Sequence, residues 1–200
     1  DAFVDMYEAG RISGRYKTLD RYKITYTFAM GTRKLYDFLD HNPVCCTYDV
    51  EYTNSPVNIA ANDKVVSINN AIEIDLFGQV CSESSGTRQI SGTGGQFDFM
   101  FGAFRSRGGK GLICMNSTYT NSQGELVSNI KPILTPGATV TVHRAITEYV
   151  ITEYGKAVLK AKSTWERAEA LINIAHPRFR DELVREAEKM GIWVRSNRIE

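Results

Sequence analysis

The stretch SGTGGQFDFMFGAFRSRGGKGLICM, residues 91–115, decides the fold class. It opens with a glycine-rich loop over residues 91–95, and the apolar run over 111–115 that closes it is typical of a strand inside a sheet. Between them, apolar residues recur at i, i+3, i+4 and i+7, the spacing of an amphipathic helix: Phe97, Met100, Phe101 and Phe104. A loop, a helix and a buried strand in succession indicate an α/β protein.

Strand-like and helix-like segments alternate on both sides of this stretch. Strands are predicted over 23–28, 44–48, 65–68, 127–130, 139–142 and 149–152, and the alternation over 72–76 predicts a strand with one solvent-facing side. Helices are predicted over 1–9, 32–42, 56–61, 97–104, 163–175 and 179–190, with a capping box at Ser163 and Glu166 and a terminating Gly191. The pattern predicts one α/β domain, an open mixed or parallel sheet covered by helices on both faces.

Length and charge exclude several classes of protein. The 200 residues suit a single domain. The 24 Lys and Arg nearly balance the 23 Asp and Glu, whereas a nucleic-acid-binding surface needs a basic surplus. No apolar run approaches the roughly 18 residues that span a membrane, and no secretory signal is present. We therefore expect a soluble protein with neither nucleic acid nor membrane as a partner.

The cysteines and histidines do not have the spacing of a metal site. We predict no metal and four free, structural cysteines, which fits a reducing, cytoplasmic compartment. The residues concerned are Cys45, Cys46, Cys81, Cys114, His41, His143 and His176.

The glycine loop is the sharpest candidate for a binding site. Gly92, Gly94 and Gly95 precede a helix, and a helix N-terminus attracts anions. A dinucleotide fingerprint needs a glycine or alanine where Phe97 stands, and no Gly-Lys-Ser/Thr of a P-loop follows. An anion-binding loop and a plain tight turn both stay open on this evidence.

Other polar residues have weaker patterns. Glu148 and Glu153 flank a predicted strand and are interpreted as solvated or hydrogen-bonded acids before acid–base groups. The cations Arg105, Arg107 and Lys110 follow the Phe-rich helix, where the helix dipole alone favours them. His176, before Pro177, is predicted to be structural.

Several long, collinear stretches resemble the C-terminal domain of the acetyl-CoA hydrolase/transferase family. They are FAMGTRKLYDFLDHNP (28–43), EIDLFGQVCSES (73–84), ISGTGGQFDFMFGAF (90–104), GGKGLICMNST (108–118), YVITEYG (149–155) and STWERAEALINIAHPRFRDEL (163–183). The STWERAEALI and KMGIWVRSN (189–197) stretches look most like the branch of butyryl-CoA:acetate and 4-hydroxybutyrate CoA-transferases. The resemblance implies that residues 1–200 form the C-terminal domain of a longer enzyme.

The resemblance also implies a reaction. Such enzymes move CoA between a short-chain acyl-CoA and a free carboxylate through a glutamyl-CoA thioester, which is ping-pong covalent catalysis. In the family the nucleophilic glutamate lies in a segment just before a stretch like DAFVDMYEAG (1–10), so we expect it, and the N-terminal half, to be absent from this chain. Glu8 does not match that motif. No metal, flavin or nicotinamide is implied, and CoA is a substrate rather than a permanently bound cofactor.

The family stabilises the reaction's oxyanion with an asparagine amide and a glycine N–H. The matching positions are Asn54, in EYTNSP, and Gly95, with Gly94 as an alternative. Without the resemblance, Asn54 before Ser55-Pro56 would be interpreted as an Asx-turn residue. The glycine loop is the matching CoA-binding segment, through Gly92, Gly94, Gly95 and Gln96.

Two other functions stay open: an acyl-CoA hydrolase, in which water replaces the acceptor acid, and a non-catalytic CoA-binding module. The expected partners are an acyl-CoA and a short-chain carboxylate, and a homodimer, the commonest symmetric assembly, also stays open.

Overall fold

A computed structural model describes residues 1–193 of the chain, which contain seven helices and thirteen short strands. The helices are α1 (Ala2–Glu8), α2 (Arg33–Leu39), α3 (Val50–Thr53), α4 (Pro56–Ala60), α5 (Gln96–Arg105), α6 (Thr164–Asn173) and α7 (Pro177–Lys189). The strands are β1 (Ile24–Tyr26), β2 (Cys45–Thr47), β3 (Val66–Asn70), β4 (Glu73–Asp75), β5 (Val80–Cys81), β6 (Ser84–Ser85), β7 (Arg88–Gln89), β8 (Lys110–Cys114), β9 (Thr118–Thr120), β10 (Leu126–Ser128), β11 (Ile130–Lys131), β12 (Tyr149–Thr152) and β13 (Gly155–Val158).

The main sheet has four strands in the order β13-β12-β8-β3. Strands β3, β8 and β12 are parallel, and β13 is antiparallel to β12. Ile113, Val150 and Ala157 point to one face, where they share the core with Met100 of α5 and Leu171 of α6. Strands interleaved with helices confirm the predicted α/β class.

The other strands form smaller sheets. Strands β1 and β2 pair in parallel, and a second group has the order β11-β4-β5, in which β11 is parallel and β5 antiparallel to β4. Strands β9 and β10 form one antiparallel pair and β6 and β7 another. The parallel pairs bring segments distant in sequence to common sheet edges, which positions the site described below.

The helix boundaries follow local sequence signals. Ser163 and Glu166 form the predicted capping box at the start of α6. At the end of α7, Gly191 has φ +68°, its N–H donates to the Glu188 carbonyl, and the Ile192 N–H donates to that of Ala187. This is the Schellman arrangement that a C′ glycine permits. Helix α7 begins at Pro177, two residues before the predicted start, because Pro is well suited to a first helical turn.

Three expectations differ from the structure. Residues 139–142 were expected to form a strand, but only Val142 pairs, in an isolated bridge with Val80. Strand β4 has no solvent-facing side, because Lys131 and Thr135 satisfy the carboxylate of Glu73 in the interior. In α5, Met100 is buried as predicted, whereas Phe97 is 39% exposed.

Part of the resemblance noted in the sequence falls at the end of the chain. Residues 194–197 of the KMGIWVRSN stretch lie outside the described residues. Within residues 1–193, no helix has both the length and the apolar character needed to cross a membrane.

Candidate functional site

The structure brings Asn54 and Gly95 into direct contact. Asn54 is the C-cap of α3, and Gly95 is the N-cap of α5. A Cβ atom built on Gly95 would overlap Nδ2 of Asn54 and would lie 3.3 Å from its Cγ. The asparagine amide therefore rests on the glycine backbone, and the two predicted site residues are neighbours in the structure. Gly94 has φ +58° and no atom near its ideal Cβ, so Gly95 is the glycine that meets Asn54.

Local hydrogen bonds set the orientation of the Asn54 amide. Asp49 caps α3 by accepting from the Tyr52 N–H at 2.8 Å. The Thr53 hydroxyl lies 3.1 Å from the Asp49 carbonyl and 3.1 Å from Oδ1 of Asn54, two acceptors that share its one hydrogen. Asn54 does not form the Asx turn considered from the sequence, because Pro56, two residues on, has no N–H to donate to Oδ1. Nδ2 faces Gly95.

The glycine loop is anchored at its start and open at its centre. The carbonyl of Glu83 accepts from the N–H groups of Ile90 and Ser91, at 2.8 and 3.1 Å. Ideal Cβ atoms at Gly92 and Gly94 would meet nothing within 4 Å. A ligand therefore has room to approach the main chain at these two positions.

Helix α5 adds an anion-attracting end to the loop. It has ten residues, and its first N–H groups have no acceptor within the helix. The partial positive charge of the helix dipole is concentrated at this end. Gln96, the first helical residue, has a buried Nε2 without a hydrogen-bond partner among the described residues. A buried donor without a partner costs free energy, which a ligand acceptor would recover.

The other candidate residues have structural partners. Glu148 is buried, accepts from the Gly111 N–H at 3.0 Å and pairs with Lys160. Arg107 pairs with Asp63 at the surface. His176 caps α7 by accepting from the Arg178 N–H at 3.2 Å, which agrees with its predicted structural role. Among residues 1–193 no group of three or more His, Cys, Asp or Glu side chains is placed to hold a metal.

Glu153 follows β12 and is held by Ser117. The Ser117 N–H donates to its carboxylate at 3.0 Å, and the Ser117 hydroxyl also donates. Loss of hydration acts to raise the pKa of Glu153, but several favourable interactions, the hydrogen bonds from Ser117 the largest of them, together lower it. The group is therefore a hydrogen-bonded carboxylate, as interpreted from the sequence.

An acidic anchor near Asn54 was missed from the sequence. Asp20, with φ +49°, accepts from the hydroxyls of Tyr48 and Tyr52 at 3.1 and 3.0 Å. Hydrogen bonding to Asp20 is the main cause that raises the pKa of both phenols. The contacts tie the loop before β1 to α3, the helix that ends at Asn54. Asp20 and the two tyrosines are distant in sequence and are brought together by the pairing of β1 with β2. No local sequence pattern could therefore predict their contact.

A family model matches most of the chain. The model of the acetyl-CoA hydrolase/transferase C-terminal domain matches residues 31–187. The chain belongs to this family. The match covers Asn54, the whole glycine loop and helices α5 and α6.

Several similar proteins are CoA-transferases by name, and more distant ones, at 26% and 27% identity, are named acetyl-CoA hydrolases. The chain is 57% identical over 199 residues to a probable butyrate:acetyl-CoA coenzyme A-transferase of Syntrophomonas wolfei, covering 100% of this chain and 44% of the relative. It is 54% identical over 198 residues to the butyryl-CoA:acetate CoA-transferase of Anaerostipes caccae, covering 99% of this chain and 44% of the relative. The chain thus spans less than half the length of these family members.

A solved structure supports the fold. The 4-hydroxybutyrate CoA-transferase of Porphyromonas gingivalis superposes with a TM-score of 0.78 at 39% identity, covering 95% of this chain and 43% of that one. The α/β fold is therefore that of CoA-transferases of this family.

Proposed function

We propose that this chain is the C-terminal part of a CoA-transferase that moves CoA between a short-chain acyl-CoA and a free carboxylate. The names of the relatives support this activity, and their length supports a polypeptide with a further part. The nucleophilic glutamate, which forms the glutamyl-CoA thioester, belongs to that further part, as the family resemblance implies.

The contact between Asn54 and Gly95 is the observation that carries the proposal. Attack of a carboxylate on a thioester moves negative charge onto the thioester oxygen. An amide N–H from Asn54 and the backbone N–H of Gly95 supply two hydrogen-bond donors from a preorganised pair. Such donors act mainly on charge that develops in the transition state, so they lower the barrier more than they tighten substrate binding.

The glycine loop is the proposed CoA-binding segment. Gly92 and Gly94 leave the main chain accessible, and Gln96, the residue after Gly95, has a buried amide donor with no partner among the described residues. A polar ligand with several acceptor oxygens, as CoA is, suits this combination of donors at a helix N-terminus.

The test uses a complete enzyme made by joining this chain to the rest of the Anaerostipes caccae relative, whose matched part is 54% identical. We expect transfer of CoA from butyryl-CoA to acetate. Acyl-CoA loss that does not depend on acetate would instead identify a hydrolase, and no reaction at all would contradict the proposal.

In this joined enzyme Asn54→Ala should lower kcat by about 10²–10³-fold, the usual loss for one oxyanion donor, with little change in the KM for butyryl-CoA. Asn54→Asp, which keeps the shape but loses the donor, should be equally slow. Asn121→Ala removes an amide that bonds only within its own hairpin loop and serves as the control. An Asn54→Ala enzyme as fast as the parent would show that the amide does not stabilise the oxyanion.

A further inference from the structure

One face of the main sheet is exposed or half-buried among the described residues. Side chains alternate along each strand, so the register defines two faces. Residues paired across the strands, such as Ile68 with Leu112 and Leu112 with Tyr149, point to the same side. We call this side the open face. Its members are Val66, Ile68, Asn70, Lys110, Leu112, Cys114, Tyr149, Ile151, Lys156 and Val158.

The two faces differ in exposure. Gly111, Ile113 and Val150, on the opposite face, are buried under α5 and α6. On the open face Val66 is 53% and Ile68 is 68% exposed. Leu112, Cys114, Tyr149 and Ile151 are half-buried, and none of them belongs to the hydrophobic core. The sequence predicted helices on both faces of the sheet. Within residues 1–193, helices cover only the face opposite the open face.

A sheet of this kind is normally covered. Parallel strands occur almost only where both faces of the sheet are packed against other elements. Strands β3, β8 and β12 are parallel, and the open face carries seven apolar or aromatic side chains, counting Cys114. A contiguous apolar surface of this size marks a contact with another part of the protein or with a partner.

The charges on the open face limit what can cover it. Its charged residues are Lys110 and Lys156, and the set includes neither Asp nor Glu. Neither lysine forms an ion pair with another described residue. A second copy of the chain packed by two-fold symmetry would place lysines against the same cationic surface. A covering element with an apolar stripe flanked by carboxylates would match both the apolar strip and its cationic margins.

We propose that the open face packs against helices of the enzyme's remaining part, which present an apolar stripe flanked by acidic residues. The length comparison supports this occupant, because more than half of each similar CoA-transferase lies outside the region that this chain matches. The inference rests on the proposed function only in assigning the covering helices to the same enzyme.

Cys114 provides the test, because it is the open-face cysteine and Cys81 is fully buried in the core. Maleimide labelling, resolved by peptide mass spectrometry, is compared between the chain alone and the joined enzyme. Cys114 should label at least about tenfold more slowly in the joined enzyme, as expected for a newly protected site. Cys45 and Cys46, on β2, should label at similar rates in both, and Cys81 should stay unlabelled wherever the domain is folded.

Equal labelling of Cys114 in both proteins would overturn the proposal, whether or not the joined enzyme transfers CoA. Protection in the chain alone that disappears on dilution would show that a second copy covers the face, and would also overturn it. Activity is measured separately, so protected Cys114 in an inactive enzyme would support the interface and count against the proposed function.

Labelling of Cys81 in the chain alone would show that the chain alone is unfolded, since Cys81 is buried in the folded domain. In that case a comparison of two variants of the joined enzyme still tests the proposal. In the joined enzyme, Ile68→Lys should speed Cys114 labelling, because it places a cation in the proposed apolar contact. Ile133→Lys changes a residue of similar exposure, 54%, outside the open face, and should leave labelling unchanged. Equal labelling of the two variants would overturn the proposal.

Discussion

At the scale of the residue, the site depends on one close approach of a side chain to a backbone. Gly95 has an ordinary φ of −92°, so a side chain is excluded there by the Asn54 amide and not by backbone strain. Gly92 is equally free of positive φ and has open space around it. The two glycines of one loop are therefore a matched pair for testing the contact.

Gly95→Ala should displace the Asn54 amide and lower kcat of the joined enzyme by about the same 10²–10³-fold as loss of an oxyanion donor. Gly92→Ala should retain kcat to within a few-fold, since its methyl group meets nothing. Steady-state kinetics with butyryl-CoA and acetate measure both. A similar loss of kcat in the two variants would show that the loop tolerates a side chain at neither glycine. It would contradict a specific role for the contact between Gly95 and Asn54.

Asp75 is a buried carboxylate whose pKa is changed by its surroundings. It is 1% exposed, and its carboxylate accepts from the N–H groups of Phe77 and Gln79 and from the Gln79 amide. Burial raises the pKa of Asp75, although these hydrogen bonds act to lower it. The folded chain therefore holds the proton of Asp75 more tightly than the unfolded chain does.

The sign of this shift gives a pH-dependent prediction. A group with a raised folded pKa loses its stabilising contribution as pH rises from its ordinary value, about 4, through the folded pKa. Wild type should therefore lose free energy of unfolding relative to Asp75→Asn over this range. Urea unfolding of both proteins at several pH values measures the difference. A difference that is constant, or that changes in favour of wild type as pH rises, would contradict the raised pKa.

At the scale of the element, helices α4 and α5 pack so closely that they require a glycine. A Cβ on Gly102 would lie 2.5 Å from Cγ2 of Ile59. Helix α4 begins two residues after Asn54, and α5 begins directly after Gly95. The packing of Gly102 against Ile59 thus fixes the distance between the helix that follows Asn54 and the helix that follows Gly95.

Gly102→Ala should lower the free energy of unfolding by about 1–3 kcal/mol, the usual cost of overpacking a core. In a protein that already carries Ile59→Ala, Gly102→Ala should cost less than it does in wild type, because the smaller side chain makes room for the new methyl group. Urea unfolding of the two single variants and the double variant measures the coupling. Strictly additive effects would show that the two positions do not compete for the same space.

At the scale of the whole molecule, the chain carries the proposed charge-stabilising half of a reaction. It spans 44% of the similar CoA-transferases, and the resemblance places the nucleophilic glutamate outside the matched region. The open face of the main sheet is the proposed contact through which the remaining part docks. Catalysis is therefore expected to require both parts.

The chain alone should transfer no CoA from butyryl-CoA to acetate, because we propose that the nucleophile belongs to the remaining part of the enzyme. The joined enzyme is the positive control, and the same assay measures both. Turnover by the chain alone within about tenfold of the joined enzyme would place the nucleophile among residues 1–200 and contradict the proposed division of roles.

The sequence by itself determined features that depend on neighbours along the chain. The capping box of α6, the glycine that ends α7 and the strand over β8 follow from local spacing, because caps and periodicity are properties of a few consecutive residues. The long motifs determined the family, and through it the prediction that Asn54 and Gly95 act together. Only the tertiary structure decided that Asn54 touches Gly95, that Asp20 anchors α3, and that one sheet face is open. These depend on parallel pairing and helix packing between distant segments, for which local sequence carries no signal. Strand β4 shows the same limit. Its alternating pattern predicted a solvent-facing side, but Glu73 is buried because it pairs with Lys131, which is distant in sequence.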